Sequence, residues 1–296
     1  MKTDLAQTLN ATGRLALTAE CRPPRGANAA VMRARAAALP VDLDAVVVAD
    51  SAWACAAILA GEKRNPVLAL ATRDRNRLAL EADAMGAAAL GVESILCLSG
   101  DHQAIDPLAQ PQAAGAYDID SVQLLLGLKT LGEQGTDFGG RKVDAPPSLF
   151  LGAAAYPYQR PLALNLLRLR KKVRAGAKFL ITQAVFDLAG FTAWMAAVRA
   201  AGIDRQAAIL AGILPLGSVA EAQALAASRG DAGPSPELIS RLQKAPDAAR
   251  EGIAIATEWA SKLKDIPGVR GIHIYSGGCE SSAAAVIQGA GLSPQA

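Results

Sequence analysis

Residues 162–213, LALNLLRLRKKVRAGAKFLITQAVFDLAGFTAWMAAVRAAGIDRQAAILAGI, contain the same sentence twice. A leucine- or alanine-rich segment of helical period runs into Ala-Gly, and a short, continuously apolar run follows it. The two Ala-Gly pairs, at 175–176 and 201–202, suit helix ends, because glycine takes the left-handed cap conformation without penalty. The apolar runs at 179–182 and 208–213 do not alternate with polar residues, as expected of strands buried on both faces in a parallel sheet.

The pattern extends in both directions. Strands are expected at 15–20, 45–49, 67–71, 94–98, 148–154, 179–182, 208–213 and 271–275. Helices are expected at 27–39, 51–60, 75–90, 121–132, 161–175, 188–200, 219–228, 247–264 and 281–289. Eight strand–helix units predict a single α/β domain over residues 1–296, a closed (β/α)8 TIM barrel, with a doubly wound open sheet as the competitor. Two connections, 100–120 and 132–147, exceed simple turns and mark functional or mobile loops, while 229–246 reads as a short inserted helix with turns.

Composition narrows the classes. At 296 residues, 51% hydrophobic and 19% charged, the chain has ample core material and is not a disordered protein. A formal charge of +3 without a clustered basic stripe argues against nucleic-acid binding. No apolar run reaches the roughly 18 residues of a membrane span, and the start, MKTDLAQTLNATG, carries no secretory apolar stretch. Cys21, Cys55, Cys97 and Cys279 are far apart with no CxxC, and His102 and His273 each lie near a different cysteine, which is not a metal-ligand spacing. No metal site or disulfide framework is expected, and the reading is of a cytoplasmic protein.

In a barrel the reactive groups collect at the carboxyl ends of the strands. Here those ends carry Glu20, Asp50, Asp74, Asp101, Tyr156, Gln183 and Tyr275. Glu20 closes an apolar run, where desolvation suits a general acid, or it pairs with Arg22 or Arg25. Asp101 follows Gly100, which allows a sharp turn toward the cleft; the alternative is an aspartate capping that turn. His102 reads as a base or a solvated loop side chain, His273 as a structural strand residue, and Phe186 as core. On the helix after strand five, Arg168, Lys171 and Lys172 share one side, and Arg170 and Arg174 another. That run is either a solvated face or a binder of pyrophosphate or a polyanionic tail. Neither GxGxxG nor GxxxxGK[ST] is present, and no nucleophile elbow is seen.

Six motifs in order carry a family resemblance. They are RLALTAECRPPRG (14–26), RDRNRLALEADAMGAAALGVESILCLSGDH (73–102), AYDIDSVQLL (116–125), GAAAYP (152–157), LRLRKKVRAGAKFLITQAVFD (167–187) and GILPL (212–216). Together they resemble the catalytic domain of methylenetetrahydrofolate reductase, nearest to the short bacterial type of acetogens, over nearly the whole chain. The resemblance implies a barrel that binds FAD, or less readily FMN, and interconverts 5,10-methylene- and 5-methyltetrahydrofolate by hydride transfer in one-carbon metabolism and methionine biosynthesis. It also implies NADH or NADPH as electron donor, a homo-oligomer, and an electron-supplying partner subunit as a further option.

Carried over position by position, Glu20 matches the general acid that assists protonation of folate N10. Asp101 matches the carboxylate that contacts the pterin and stabilises its cation, and Gln183 a pterin-contacting amide. Tyr117, Tyr156 and Lys172 match flavin-site positions, with Arg168 and Lys171 beside them. The chain departs from the family pattern at Ala69 and Ser99, where many members carry a His and an Arg. It departs again within SGGCE near Cys279, where a folate-contacting Arg is expected, and at Leu225, where an aromatic is. Those departures bear on flavin affinity and on the donor. They leave two other expectations open, a non-redox folate-binding subunit and a flavin-free reductase using nicotinamide directly.

Overall fold

A computed structural model describes residues 5–11, 13–101 and 113–292. Eight parallel strands close into a barrel in sequence order: β1 (Ala16–Cys21), β2 (Ala45–Val48), β3 (Pro66–Ala71), β4 (Ser94–Leu98), β5 (Phe150–Ala155), β6 (Phe179–Ala184), β7 (Ala208–Ile213) and β8 (Val269–Ile274). The ring is sealed by β1 against β8, with Ala16 opposite Gly271 and Ala19 opposite Ile274, which excludes the open doubly wound sheet.

The helices that wrap this barrel are α2 (Ala29–Ala37), α3 (Trp53–Gly61), α4 (Arg77–Ala89), α5 (Ser121–Gln134), α6 (Leu162–Arg174) and α7 (Leu188–Ala200), with α10 (Ala248–Leu263) and α11 (Glu280–Gly289) completing the circuit. Their starts are written in the sequence. Asn28, Asn76, Asp120, Asp187 and Asp247 each cap a first turn through a side-chain oxygen, and Asp120 forms a full capping box with Gln123.

One feature departs from the expected pattern, and the helical insertion before β8 matches it. The polar start contains a helix, α1 (Leu5–Asn10), whose Leu5 and Leu9 join the apolar filling of the barrel. Thr8 donates to buried Asp44, and Arg270 donates to the carbonyls of Leu9 and Ala11, so α1 closes the amino-terminal end. Between β7 and β8, the barrel-packing helix is α10. Ahead of it stand α8 (Val219–Arg229), a 3-10 turn (Gly230–Ala232) and α9 (Pro236–Lys244). These insertions pack with Leu214, Leu216 and Tyr275 in a separate apolar cluster, and Phe186 is buried there.

Inside the barrel, Val47, Val67, Leu96, Ile181 and Leu210 fill the middle, above a stacked Phe150–Phe179 pair with centroids 5.3 Å apart. The filling is therefore wide at the base and small at the opposite end, where alanines predominate. That taper leaves room at the carboxyl rim. Among the described residues, no helix is long and apolar enough to cross a membrane.

Candidate functional site

A cavity of about 700 Å³ opens at the carboxyl rim, within the range of ligand pockets. Ala49, Ala69, Ala71 and Ala154, from β2, β3 and β5 and their ends, make flat apolar patches on its wall, and both Glu20 and Asp101 line it. The two acids picked out at the ends of strands one and four therefore face one space.

Glu20 sits on β1 with only 8% of its surface exposed. Its Oε2 accepts from the Ser276 backbone N–H at 3.2 Å, from Ser276 Oγ at 3.3 Å and from Arg22 Nε at 3.4 Å. All three described donors meet the same oxygen, so Oε1 is the atom available to a ligand. The pairing with Arg22 and the position in the cavity thus coexist. Ser276 had no signal in the sequence, since it reaches Glu20 only because the barrel closes.

Asp101 is exposed and follows Gly100, whose φ of +81° makes the turn; a Cβ there would meet the Arg73 side chain at 2.9 Å. Its loop is held from the neighbouring connection. The Asp101 carbonyl accepts from Arg73 Nη1 at 3.1 Å and from the Tyr117 hydroxyl at 3.4 Å, and Arg73 is itself forked onto Asp74. Tyr117, with a φ of +40°, is therefore a brace for the Asp101 loop and does not line the cavity. Gln183 lies half-buried near the end of β6, at an irregularity in register against β7, outside the cavity lining. His102 lies outside the described residues.

His273 lines the cavity from β8, although its surroundings are also those of a packed strand residue. Its Nδ1 is 2.9 Å from Thr18 Oγ1, its ring meets Tyr275 edge-on, and burial pulls its pKa down to about 3. The imidazole is accordingly neutral at ordinary pH. Tyr275 donates to the Thr182 carbonyl at 2.9 Å, and burial raises its phenol. Asp50 and Ser51, at the end of β2, both adopt positive φ (59° and 52°), a strained pair at the lip.

Next to this cavity, along the ends of β4 and β5, is a second of about 330 Å³. Arg168, Lys171 and Lys172 line it, as does Tyr156, while Arg170 and Arg174 lie on a different surface. Lys172 Nζ donates to the Ala154 carbonyl at 2.7 Å and stands 5.2 Å from the centre of the Tyr156 ring. Burial, with the Arg168 charge added, lowers Lys172 to about 8. Tyr156 is raised by burial and by the nearby Asp101 carboxylate. Asn165 fixes the junction, donating to the Tyr156 carbonyl at 2.6 Å and accepting from Trp194 Nε1 at 3.0 Å. Three cations beside an alanine-walled cleft suit a cofactor with anionic phosphates and a planar ring. Among the described residues no His/Cys/Asp/Glu cluster has a metal-binding arrangement.

Comparison with known proteins bears on the same stretch of chain. The sequence profile of the methylenetetrahydrofolate reductase family matches residues 5–291. Methylenetetrahydrofolate reductase 2 of Saccharomyces cerevisiae is 31% identical over 154 residues, 49% of this chain and 25% of the yeast protein. The 5,10-methylenetetrahydrofolate reductase of Pectobacterium carotovorum is 28% identical over 193 residues, 63% of this chain and 56% of that protein. The matches thus span a quarter and just over half of those two relatives. Among solved structures, an uncharacterized Clostridium thermocellum protein that binds two copies of 5-methyl-5,6,7,8-tetrahydrofolic acid superimposes with a TM-score of 0.66. Identity is 15%, and the match covers 98% of this chain and all of that one. A 2,3-dimethylmalate lyase superimposes at 0.53 with 10% identity, covering 96% of this chain and 82% of that one. At such identities these two likenesses speak for the barrel fold alone.

Proposed function

The chain belongs to the methylenetetrahydrofolate reductase family, and from that premise we propose that it is an oxidoreductase interconverting 5,10-methylene- and 5-methyltetrahydrofolate. The observation that carries the reading is the shared cavity of Glu20 and Asp101 at the carboxyl rim. The folate bound by the Clostridium thermocellum protein of similar fold is in keeping with it.

In this reading the pterin docks between the two acids. Glu20 Oε1 holds the proton that passes to folate N10, which opens the five-membered ring and leaves a cationic methylene at N5. Arg22 and Ser276 keep Oε2 engaged and so fix which oxygen faces the substrate. Asp101, with its backbone pinned by Arg73 and Tyr117, presents a negative charge to that cation from the cavity wall. Neutral His273 adds no competing positive charge to the wall. Gln183, at the end of β6, is assigned to pterin binding on the resemblance alone.

The cationic second cavity supports a flavin; FAD before FMN, and NADH or NADPH as donor, rest on the family resemblance alone. Arg168, Lys171 and Lys172 would hold its phosphates, and Tyr156 with the alanine wall would border its ring. When bound, a flavin supplies the hydride chemistry, while the protein supplies orientation and field. Alanine at 69 and serine at 99 leave those two positions without the charged or polar groups the resemblance leads one to expect, so the cations of α6 carry the anchoring.

The test is anaerobic mixing of FAD-loaded protein with 5-methyltetrahydrofolate. Bleaching of the visible flavin band is expected for the wild type. The Glu20→Gln protein should still be bleached by reduced nicotinamide, yet its reoxidation by methylenetetrahydrofolate should slow by about a hundredfold or more. Wild-type protein that takes up no flavin, or a Glu20→Gln protein reoxidised at the wild-type rate, contradicts the reading.

A further inference from the structure

Among the described residues the buried carboxylates are Glu20, Asp44, Glu81, Asp137 and Glu280. Three of them are employed elsewhere in the fold. Asp44 anchors α1, while Glu81 and Asp137 hold the segment between α5 and β5 through the Phe138 backbone N–H and the Arg141 side chain. Glu280 is different, because its bond leads back to Glu20.

Glu280 is the first residue of α11 and is only 6% exposed. An acid in a first helical turn is ordinarily stabilised by the free N–H groups of its own helix. Here Oε1 accepts instead from the Arg22 backbone N–H at 3.2 Å, across the seam where β1 meets β8. A buried carboxylate is costly unless it is bonded, so this contact is what makes the position tolerable. The turn that delivers it is short. Gly277 and Gly278 follow Ser276 at φ of 58° and 93°, and the Cys279 N–H closes on the Ser276 carbonyl at 2.8 Å.

Two bonds therefore cross the seam in opposite directions. Glu20 reaches from β1 to Ser276, and Glu280 reaches from α11 to Arg22. Arg22 completes the ring, since its Nε meets Glu20 Oε2 at 3.4 Å. That contact is long for a charge-assisted bond, and the Arg22 side chain is 37% exposed. The guanidinium is lightly held at Glu20, and the placing of its backbone is what keeps it there. Burial, and then the nearby Glu280 carboxylate, push the Cys21 thiol up to about 12, with Glu20 adding to the shift. Both acids thus lie close to one residue.

We propose that Glu280 is a positioning residue for the proton-donating step: by holding the Arg22 backbone it keeps Arg22 on Glu20 Oε2 and leaves Oε1 turned to the substrate. This role rests on the folate reading above and deepens it. Without that hold the Arg22 contact opens, Ser276 alone engages Oε2, and the carboxyl group rotates away from folate N10 for part of the time. Glu280 lines neither cavity, so the loss falls on proton transfer and spares folate affinity and flavin reduction.

The experiment is anaerobic stopped-flow on the FAD-loaded full chain, following the flavin band in each half-reaction separately. Glu280→Ala should slow reoxidation by saturating methylenetetrahydrofolate by about tenfold. The folate concentration for half-maximal rate, and the rate of bleaching by reduced nicotinamide, should stay unchanged. Glutamine offers an amide oxygen in place of Oε1, so Glu280→Gln should come within about threefold of the wild-type rate. Glu280→Asp keeps the charge but is one methylene too short, and should be as slow as alanine; it supplies the test where the alanine variant is unstable. Alanine and aspartate variants reoxidised at the wild-type rate, a glutamine variant as slow as alanine, or equal slowing of both half-reactions overturns the positioning role while leaving the folate reading intact. A wild type that methylenetetrahydrofolate does not reoxidise overturns both.

Discussion

At the scale of single residues, burial decides the chemistry of several groups before any ligand arrives. His273 shows it most directly: an imidazole with 1% exposure, held by Thr18 and edge-on to Tyr275, resists protonation down to about pH 3, against an ordinary value of 6.5. The linkage has a definite sign. Between those two values the unfolded chain binds a proton at this ring that the folded chain does not, so stability falls as pH drops through that window. Chemical denaturation of wild type and His273→Gln between pH 7 and pH 4 should therefore give a shallower pH dependence for the variant; equal slopes would contradict the assignment. Asp44 is buried for a structural purpose. Its buried carboxylate accepts from Thr8, Arg14 and the Leu17 backbone N–H, a fully employed acid on the far side of the barrel from the rim.

Among the elements, most of what the sequence implied came through, because the signal was local. The apolar runs at Ser94–Leu98 and Ala208–Ile213 and the helix Leu188–Ala200 have the expected boundaries, each being set off by turn residues and caps. What escaped was set by distant partners. The helix α1 buries only Leu5, Thr8 and Leu9, too few to stand out as a periodic pattern, and it is stabilised by contacts to Asp44 and Arg270. Residues Gln183 and Ala184 fall within β6 beyond the expected strand end, opposite the register shift against β7.

The close approach of α10 to the rim is likewise invisible locally, since it turns on one glycine. A Cβ on Gly252 would collide with the Leu216 carbonyl oxygen. Alanine would gain up to about 1 kcal/mol of helix propensity, whereas overpacking costs about 1–3 kcal/mol. Because the obstacle is backbone, the larger cost should win. Gly252→Ala is expected to lower the urea midpoint, with a net loss of about 1–2 kcal/mol. An unchanged or raised midpoint would show that α10 can shift freely.

For the molecule as a whole, the candidate site was legible as a set of polar strand ends but not as a constellation. Glu20 and Asp101 could be singled out one at a time from apolar run followed by acid. Their common cavity, and the grip of Ser276 on Glu20 from 256 residues away, exist only because β8 returns to β1. The α6 cations separated into two faces as helical spacing dictates, and the trio Arg168, Lys171 and Lys172 indeed lines a cavity. The arginines of the β1–α2 lip looked, in sequence, like no more than partners for Glu20. Closure of the barrel gives them a cleft to border, and the small side chains near its carboxyl end give that cleft its volume.

The central claim is that one rim cavity presents both acids to a reduced folate. Crystals grown with 5-methyltetrahydrofolate test it most directly. The account predicts pterin density inside the 700 Å³ cavity, with Glu20 Oε1 directed at the folate N10 side and the Asp101 carboxylate at the pterin. Folate density elsewhere on the barrel, with Glu20 and Asp101 both left facing solvent, would contradict it.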